Sequence, residues 1–481
     1  MFCNKKLFNL VYILQLYEYE VGPFTRWLQS HSRWYDLCNK GKLKFTVKVN
    51  LIILLTYLLA FLSFIIIVLL LLSVFSIELF LLSTLFLFLE FYKLLPVFII
   101  TSLVALMPVE IVVRIFYVCL AILKRNKCRG VKVIGIAGSY SKTSMKEFLA
   151  TILSERFKAL KTPGNINTLI GIARFIIKKL KPEYDIFIVE IGAYKIGDIK
   201  RASKLVKPSI GILTGINEAH LERFGSLTNT IKAKFEIVES ISEDGISLIN
   251  YDDVNIKNAL DAHTLKSKIV CYSLEKQHDG FMISNARTSE SGTSFQICKA
   301  GEWDMAIDLP VLGMHNVRSI LGCIILCDLM GMTKQEIQRG VQNIKAVEHR
   351  LAPIYNMESD ILVIDDTYNA NSDGIKCALD VLATFKNRRK IIVAQGVIES
   401  GTQSEKLNME VGEAMANVVD LAILIKSGIS DYILNGLLGA SFERDRILIF
   451  DTFKEMEQSL PSITSAGDVI LFQNDLPDQY A

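Results

Sequence analysis

Residues 135–144 read GIAGSYSKTS, set between the apolar run Val131-Lys132-Val133-Ile134 and the stretch Met145-Lys146-Glu147-Phe148-Leu149. Strand, glycine turn, helix is the order of a phosphate-binding loop. Such a loop works because small residues leave successive backbone N–H groups pointing at phosphate oxygens, while a lysine and a hydroxyl at the helix start neutralise charge and hold Mg²⁺. Lys142 and Thr143 fit those two places, with Gly138, Ser139, Ser141 and Ser144 completing the loop. Ser141 stands where glycine ordinarily precedes the lysine, the residue that lets backbone approach phosphate most closely. Serine adds little bulk and keeps the backbone N–H, so the stretch reads as a working ATP loop.

Working outward, short β-branched runs alternate with helical ones after Arg129: VKVIGIAG, YDIFIVEIG, SIGILTGI, GISLINYDD and SKIVCYSLE. That alternation predicts an α/β fold with a largely parallel sheet covered on both faces. FMISNARTS, TSFQICK and WDMAIDLP predict a small antiparallel meander over 281–310, and a helical stretch closes this central domain, 126–351. A second series, ILVIDD, KIIVAQG, LAILIKSG, RILIFD and DVILFQN, predicts a Rossmann-like C-terminal domain, 352–481. With 481 residues the chain has room for about three domains of ~150 residues. Its net charge of +3 argues against a nucleic-acid binder. Nine scattered cysteines without a CxxC pair predict free thiols, and Cys323 and Cys327, four apart in ILGCIILCDLM, read as core residues of a helix rather than a metal face.

The first quarter has a different solvent. From Val49 to Met107 the charged residues are Glu78, Glu90 and Lys93, and Leu51–Phe75 alone exceeds the ~20 apolar residues that cross a bilayer. Residues 49–125 therefore read as a transmembrane region. Its place and length argue against a cleavable signal peptide. Residues 1–48 carry eight Lys/Arg against three acids, and 111–132 carry six basic residues and no acid. Both flanks are then expected in the cytoplasm, with an even number of crossings in the cell membrane and the soluble domains facing the cytoplasm. Glu78, Glu90, Lys93, Pro96 and Pro108 are expected to interrupt the apolar region after the first span. The segment 1–48 reads equally as an interfacial amphipathic helix or a helical hairpin.

Polar motifs then follow in order. TPGNINTLIG (162–171) sets Asn165 and Asn167 in a glycine turn, and IVEIGA (188–193) puts Glu190 at the end of an apolar strand. An acid there reads as facing a metal or cleft, or as a solvated strand end. GINEAHLERFGSL (215–227) carries His220, and IKAKFEIVES (231–240) carries Lys234; GMHNVRS (313–319), VEHRL (347–351) and IDDTYNANSDG (364–374) come later. Taken singly, His220 is equally a satisfied loop histidine, Lys234 an exposed helical lysine, Arg350 a partner for Asp366, and His315 and His349 structural residues.

This order of motifs, from Lys132 to the C-terminus, resembles the Mur ligase family of ATP-dependent amide-forming enzymes, in particular its branch that adds D-alanyl-D-alanine to a UDP-muramoyl-tripeptide. The resemblance implies that Lys142 and Thr143 contact the phosphates and their Mg²⁺, with Glu190 a ligand of the same ion. It implies a second metal site at His220 and Lys234, the lysine being carbamoylated so that it offers an anionic oxygen to a hard cation. Asn316 corresponds to a nucleotide-proximal position, Arg350 and Asp366 to residues that reach ATP, and Asn165, Asn167, Tyr368, Asn369 and Asn371 to substrate-side loops. The chain departs from the family at Ser141, Thr168, Ser319 and Ser372, in VAQGVIESG (393–401) and in QNDLPD (473–478), and the membrane region stands where the family holds the UDP-sugar. Its expected partners are thus a nucleotide-sugar peptide or a lipid-linked peptide precursor. A nucleotide-binding membrane scaffold is the alternative from another class.

Overall fold

The order of the elements follows from where each strand can be buried. A computed structural model describes residues 2–31, 43–74, 91–164, 166–218, 221–278, 280–368, 371–397 and 403–473. It divides into two units, Met1–Phe116 with Leu476–Ala481, and Tyr117–Asp475.

In the second unit, β1 (Lys132–Ala137) is buried from Val133 onward. Successive side chains leave a strand on opposite faces. Accordingly Ile134 and Ile136 join one core with Met145, Phe148 and Leu149, while Val133 and Ala137 join the other with Ile172, Ile176 and Phe235. Burial on both faces is the condition of a parallel sheet. The remaining strands are β2 (Ala159–Lys161), β3 (Ile186–Glu190), β4 (Ile210–Leu213), β5 (Ile246–Asn250) and β6 (Lys268–Tyr272), in the order β2-β3-β1-β4-β5-β6, all parallel. Register sets the chemistry: Ile136 lies opposite Glu190 on one side, and Ala137 opposite Leu213 on the other. The loop after β1 therefore opens between the ends of β3 and β4, at the carboxyl edge where open α/β sheets bind ligands.

The expected meander is present as β7 (Phe281–Ser289), β8 (Gly292–Lys299) and β9 (Trp303–Leu309), antiparallel throughout. The helix Met314–Leu329 closes the first core, with Cys323 and Cys327 buried in it. A capping box between Thr333 and Glu336 starts the next helix, Lys334–Gln342. The second sheet adds β10 (Ala352–Asn356), β11 (Ile361–Asp366), β12 (Arg389–Ala394), β13 (Leu421–Ile425), β14 (Ile447–Phe450) and β15 (Asp468–Gln473), in the order β10-β11-β15-β12-β13-β14. All its pairs are parallel except β10 with β11. That antiparallel edge is unforeseen in the sequence, because APIYN carries a proline and a mostly exposed pattern that suit only an edge.

The first unit holds helices Phe2–Leu16, Val21–Ser30 and Val47–Val74, and most of Leu95–Lys127. Val47–Leu71 and Leu95–Lys127 are long and apolar enough to cross a membrane. Leu95–Lys127 runs unbroken through both prolines expected to interrupt it. Pro96 falls in the first turn, where a missing N–H is harmless, and Pro108 is carried in the helix interior. Leu7, Leu10, Leu14, Phe24 and Trp27 of the first two helices bury against Val49, Ile52, Ile99 and Leu103, which is a helical arrangement rather than a free amphipathic face. Thr56 and Ser102 share a buried hydrogen bond of 3.2 Å. The stretch with Glu78 and Glu90 lies outside the described residues.

In the C-terminal sheet's cover, helices Ser404–Ala416 and Ser430–Gly439 meet backbone to backbone. A Cβ at Gly412 would lie 2.2 Å from the Ile433 carbonyl oxygen, and one at Gly436 2.1 Å from that of Met409. Gly436→Ala is expected to destabilise the C-terminal sheet by about 1–3 kcal/mol through overpacking. Chemical denaturation checks this, and a solvent-facing control, Gly439→Ala, should leave the midpoint near its wild-type value, since nothing lies within 4 Å of its added methyl.

Candidate active site

The loop after β1 is fixed from outside itself. Ser139 N–H donates to the Gly215 carbonyl at 2.7 Å, Thr214 Oγ1 donates to the Tyr140 carbonyl at 2.5 Å, and the Tyr140 hydroxyl donates to Asp253 Oδ2 at 2.6 Å. The Tyr140 ring fills the place a Cβ on Gly215 would take, 2.1 Å away, and a Cβ on Gly138 would meet Thr214 Oγ1 at the same distance. Ser141 sits at φ 60°, ψ 0°, just before the helix Lys142–Leu153, and its side chain caps nothing. It thus adopts the left-handed conformation that glycine adopts without strain. Lys142 Nζ turns back onto the loop, donating to the carbonyls of Gly138 at 2.8 Å and Ser139 at 3.1 Å. Burial lowers its pKa to about 8; Glu190 counteracts this and Arg350 adds to it.

Glu190 is 2% exposed and is the hub of the site. Its Oε1 accepts from Asn167 Nδ2 at 3.1 Å, and its Oε2 from Thr143 Oγ1 at 3.0 Å and Lys146 Nζ at 3.2 Å. Burial alone would raise its pKa. The charges of Lys142 and Lys146 and the hydrogen bond from Asn167 instead hold it below the usual carboxylate value. A solvated strand-end acid is therefore the wrong reading of this residue. With its proton committed to Glu190, the Thr143 hydroxyl keeps its lone pairs for a cation, so the pair fits the protein's share of a Mg²⁺ site completed by phosphate and water.

Lys234, on the helix Leu227–Glu239, is 2% exposed, not a surface lysine. Its ammonium lies 3.4 Å from the Ala193 carbonyl oxygen and 5.2 Å from the centre of the Phe224 ring. Burial, reinforced by the Lys142 charge, lowers its pKa to about 7. A buried amine that is partly neutral near pH 7 has the nucleophile needed to form a carbamate. Among the described residues no three His, Cys, Asp or Glu converge as a metal cage.

On the helix Met314–Leu329, Asn316 is 4% exposed, donates through Nδ2 to the Leu312 carbonyl at 2.8 Å, and has a buried Oδ1 without a partner. Such an orphaned acceptor fits a ligand N–H. Its neighbour His315 is half-buried; desolvation, together with the charges of Arg318 and Arg350, lowers its pKa to about 4, so it is neutral at pH 7. Arg350 stacks over Tyr368 at 4.0 Å. Burial lowers its pKa against the pull of Asp366, Tyr368 and Glu190. His349 and Leu351 on either side of it both have positive φ, 60° and 48°. Asp366 accepts from Leu351 N–H at 3.2 Å and Gln473 Nε2 at 3.0 Å, and burial raises its pKa. His349 Nδ1 pairs with Asp365 at 2.7 Å.

The two sheets meet through Asn217, whose Nδ2 donates to Asn371 Oδ1 and to Asp373 Oδ2, each at 3.0 Å. Asn371 caps the helix Ser372–Leu382, accepting from Gly374 N–H. The departures have local duties: Thr168 caps the helix Leu169–Lys179, and Ser319 donates to the His315 carbonyl at 3.0 Å. Asn165, His220 and Asn369 lie outside the described residues, as do 398–401 of VAQGVIESG and everything after Gln473. Sequence reasoning passed over Lys146 and Asn217. Lys146 lacks the glycine-turn context that marks Lys142, the other lysine of its helix, and so reads as an ordinary helical lysine, while Asn217 is one polar residue in a loop chosen for its histidine.

Residues 136–327 match the family description "Mur ligase middle domain", and residues 349–473 match "Mur ligase, glutamate ligase domain". The UDP-N-acetylmuramoyl-tripeptide--D-alanyl-D-alanine ligase of Escherichia coli K12 is 35% identical over 287 residues, 59% of this chain and 62% of that one. The enzyme of the same name from Haemophilus influenzae is 30% identical over 326 residues, 66% of this chain and 69% of that one. The chain thus spans less than two thirds of the Escherichia coli relative. Among solved structures, MurF from Acinetobacter baumannii superposes with a TM-score of 0.66 at 25% identity, covering 75% of this chain and 77% of that one. MurF ligase from Thermotoga maritima in complex with ADP gives 0.65 at 24%, covering 74% and 80%.

Two substitutions separate the loop's conformation from its charge. Ser141→Gly is expected to keep or strengthen ADP binding, because it removes a strain of about 1–2 kcal/mol from the left-handed position. Lys142→Ala is expected to lower turnover by roughly 10²–10³-fold. Calorimetric titration with ADP and steady-state ATP turnover check the pair; lost binding in Ser141→Gly would make the hydroxyl itself a required contact.

Proposed function

The chain belongs to the Mur ligase family, and from that membership we propose that it joins D-alanyl-D-alanine to a UDP-N-acetylmuramoyl-tripeptide at the expense of ATP. The observation that carries this reading is the convergence of Lys142, Thr143 and Glu190 on one sheet edge, with buried Lys234 beside them. In the proposed reaction the acceptor's carboxylate takes the γ-phosphoryl group of ATP, giving an acyl phosphate and ADP. The dipeptide's amine then attacks the acyl carbon, so that the amide forms and phosphate leaves. Mg²⁺, when bound, neutralises charge on the transferring group.

The chain's own residues position and stabilise. Lys142 places a fixed charge at the loop, where a preorganised cation is worth most against charge that develops in the transition state. Thr143 and Glu190 hold the ion's place. Asn316 offers its unpaired Oδ1 to an N–H of the nucleotide, and Arg350, braced on Tyr368, brings a second cation from the junction of the two sheets. Lys234, carbamoylated, would replace an ammonium that cannot ligate a cation by an anionic oxygen that can. We assign His220, Asn165, Asn167, Asn369 and Asn371 to the second ion and the substrate loops on the family's pattern. A bare scaffold has less support, since Ser141 takes the conformation a glycine would.

The two long apolar helices favour a membrane-attached form, with both basic flanks and the soluble sheets in the cytoplasm. They also support a second substrate reading, a lipid-linked or other envelope-polymer precursor carrying the same carboxylate. Ligation assays on the full-length chain, offering UDP-muramoyl-tripeptide and a lipid-linked tripeptide with D-alanyl-D-alanine and ATP, decide between them. Turnover of neither acceptor, equal to that of Lys142→Ala, would sink the ligase reading. Reporters fused at residue 40 and after Arg129 are expected to report cytoplasm, and opposite locations would mean an odd number of crossings.

Lys234 gives a pH-dependent expectation. Its pKa is lowered to about 7 in the fold, so the neutral amine that captures CO₂ is the minor form below pH 7 and the major form above it. After CO₂ depletion, reactivation by bicarbonate is expected to be poor at pH 6 and efficient at pH 8, with a carbamate signal from ¹³C-bicarbonate appearing in the same range. Lys234→Ala is expected to be folded and inactive, and partly rescued by a small carboxylic acid. Lys234→Arg is expected to stay inactive, because guanidinium keeps its charge; near-normal activity in it would remove the carbamate from the scheme.

A further inference from the structure

Lys146 is a lysine with no exposed surface, and the reaction just described does not use it. It lies one helical turn after Lys142. Its ammonium donates to the Gly164 carbonyl at 2.5 Å and to Glu190 Oε2 at 3.2 Å, with Glu147 Oε1 at 3.8 Å. Lys161 holds the other oxygen of Glu147. Three segments therefore meet on one nitrogen: the phosphate-loop helix, the end of β3, and the glycine turn of TPGNINTLIG. The same turn returns to Glu190 through Asn167, whose backbone carbonyl also accepts from Gly192 N–H at 2.9 Å.

We propose that Lys146 is a positioning residue that holds the Glu190 carboxylate in its metal-binding orientation and ties that orientation to the turn bearing Gly164 and Asn167. The inference rests on the assignment of Glu190 as a metal ligand. A carboxylate has two oxygens and about four acceptor directions. Thr143 and Lys146 occupy Oε2, and Asn167 occupies one direction of Oε1. The direction left on Oε1 is the one a cation can use, and it stays aimed only while both oxygens are held. Without Lys146 the carboxylate loses its strongest donor, and the turn loses its anchor at Gly164. Partners that orient a ligand in this way typically change metal affinity by roughly 10–100-fold when removed. The ammonium cannot itself be a ligand, because it has no lone pair.

The test uses the full-length chain with ADP, and Mn²⁺ as a paramagnetic replacement for Mg²⁺. Electron paramagnetic resonance then measures bound ion without turnover. Lys146→Met is expected to weaken Mn²⁺ binding at least roughly tenfold, while ADP binding in the absence of metal is unchanged. Lys146→Arg, which can still donate to both acceptors, is expected to recover part of the affinity. A purely structural lysine would lower the melting temperature and leave the Mn²⁺ affinity of the folded protein at the wild-type value; that result overturns the proposal. Lys146→Gln, which removes the charge but keeps a donor for Gly164, carries the same expectation if the methionine variant does not fold. Failure of the wild-type protein to bind Mn²⁺ with ADP would instead strike at the metal assignment of Glu190.

Discussion

A carboxylate with 2% exposure at the end of a central strand is the constraint around which the rest of this site is arranged. Burying an isolated charge costs several kcal/mol even after relaxation, so Glu190 is stable there only with cations and donors aimed at it. The sheet delivers them. Parallel register brings β3 level with the loop after β1, which supplies Thr143 and, one turn along the helix, Lys146. The turn before the Leu169–Lys179 helix supplies Asn167. Each group satisfies Glu190, and the groups come from two segments outside β3, the Lys142–Leu153 helix and the turn before the Leu169–Lys179 helix, so the site exists only when the sheet brings these together.

The C-terminal sheet adds what a single parallel sheet lacks. Arg350 and Tyr368 form a stacked pair at the junction, and Asn217 reaches across to the cap of the Ser372–Leu382 helix. The positive φ at His349 and Leu351 keeps the junction out of regular structure. A bulky residue such as leucine adopts this region rarely, and usually only where surroundings hold it there. Here Leu351 is buried and its N–H is taken by Asp366, which also accepts from Gln473 at the end of β15. The backbone that carries Arg350 is thus set by the second sheet, not by the first.

How much of this was legible depended on what kind of signal each feature leaves. The strand–glycine turn–helix unit at 132–153, the alternation of strands and helices, and the meander all read from periodicity and glycine placement, and the structure contains them. Glu190 was legible because an acid in an apolar strand is an anomaly in one dimension. Lys146 was not: a lysine in an amphipathic helix is ordinary until three dimensions show that it has no solvent. The strand β2 is three residues long and β10 is an exposed edge, and neither length nor hydrophobic pattern distinguishes such strands from loop. Breaks were expected at Pro96 and Pro108, yet the helix passes both, because proline marks a helix boundary only where its lost hydrogen bond has no other accommodation.

The left-handed serine before Lys142 also limits how this sequence can drift. Its neighbours are fixed by contacts with Thr214, Gly215 and Asp253, so the backbone cannot relax to suit a new side chain. Glycine, asparagine and aspartate tolerate the conformation, whereas valine, isoleucine and threonine clash with their own backbone there. Aspartate would further set a negative charge at the helix start where phosphate is proposed to bind. Position 141 is then a narrow filter, open to small residues without branching at Cβ or added negative charge, and serine is one of the few side chains that passes it.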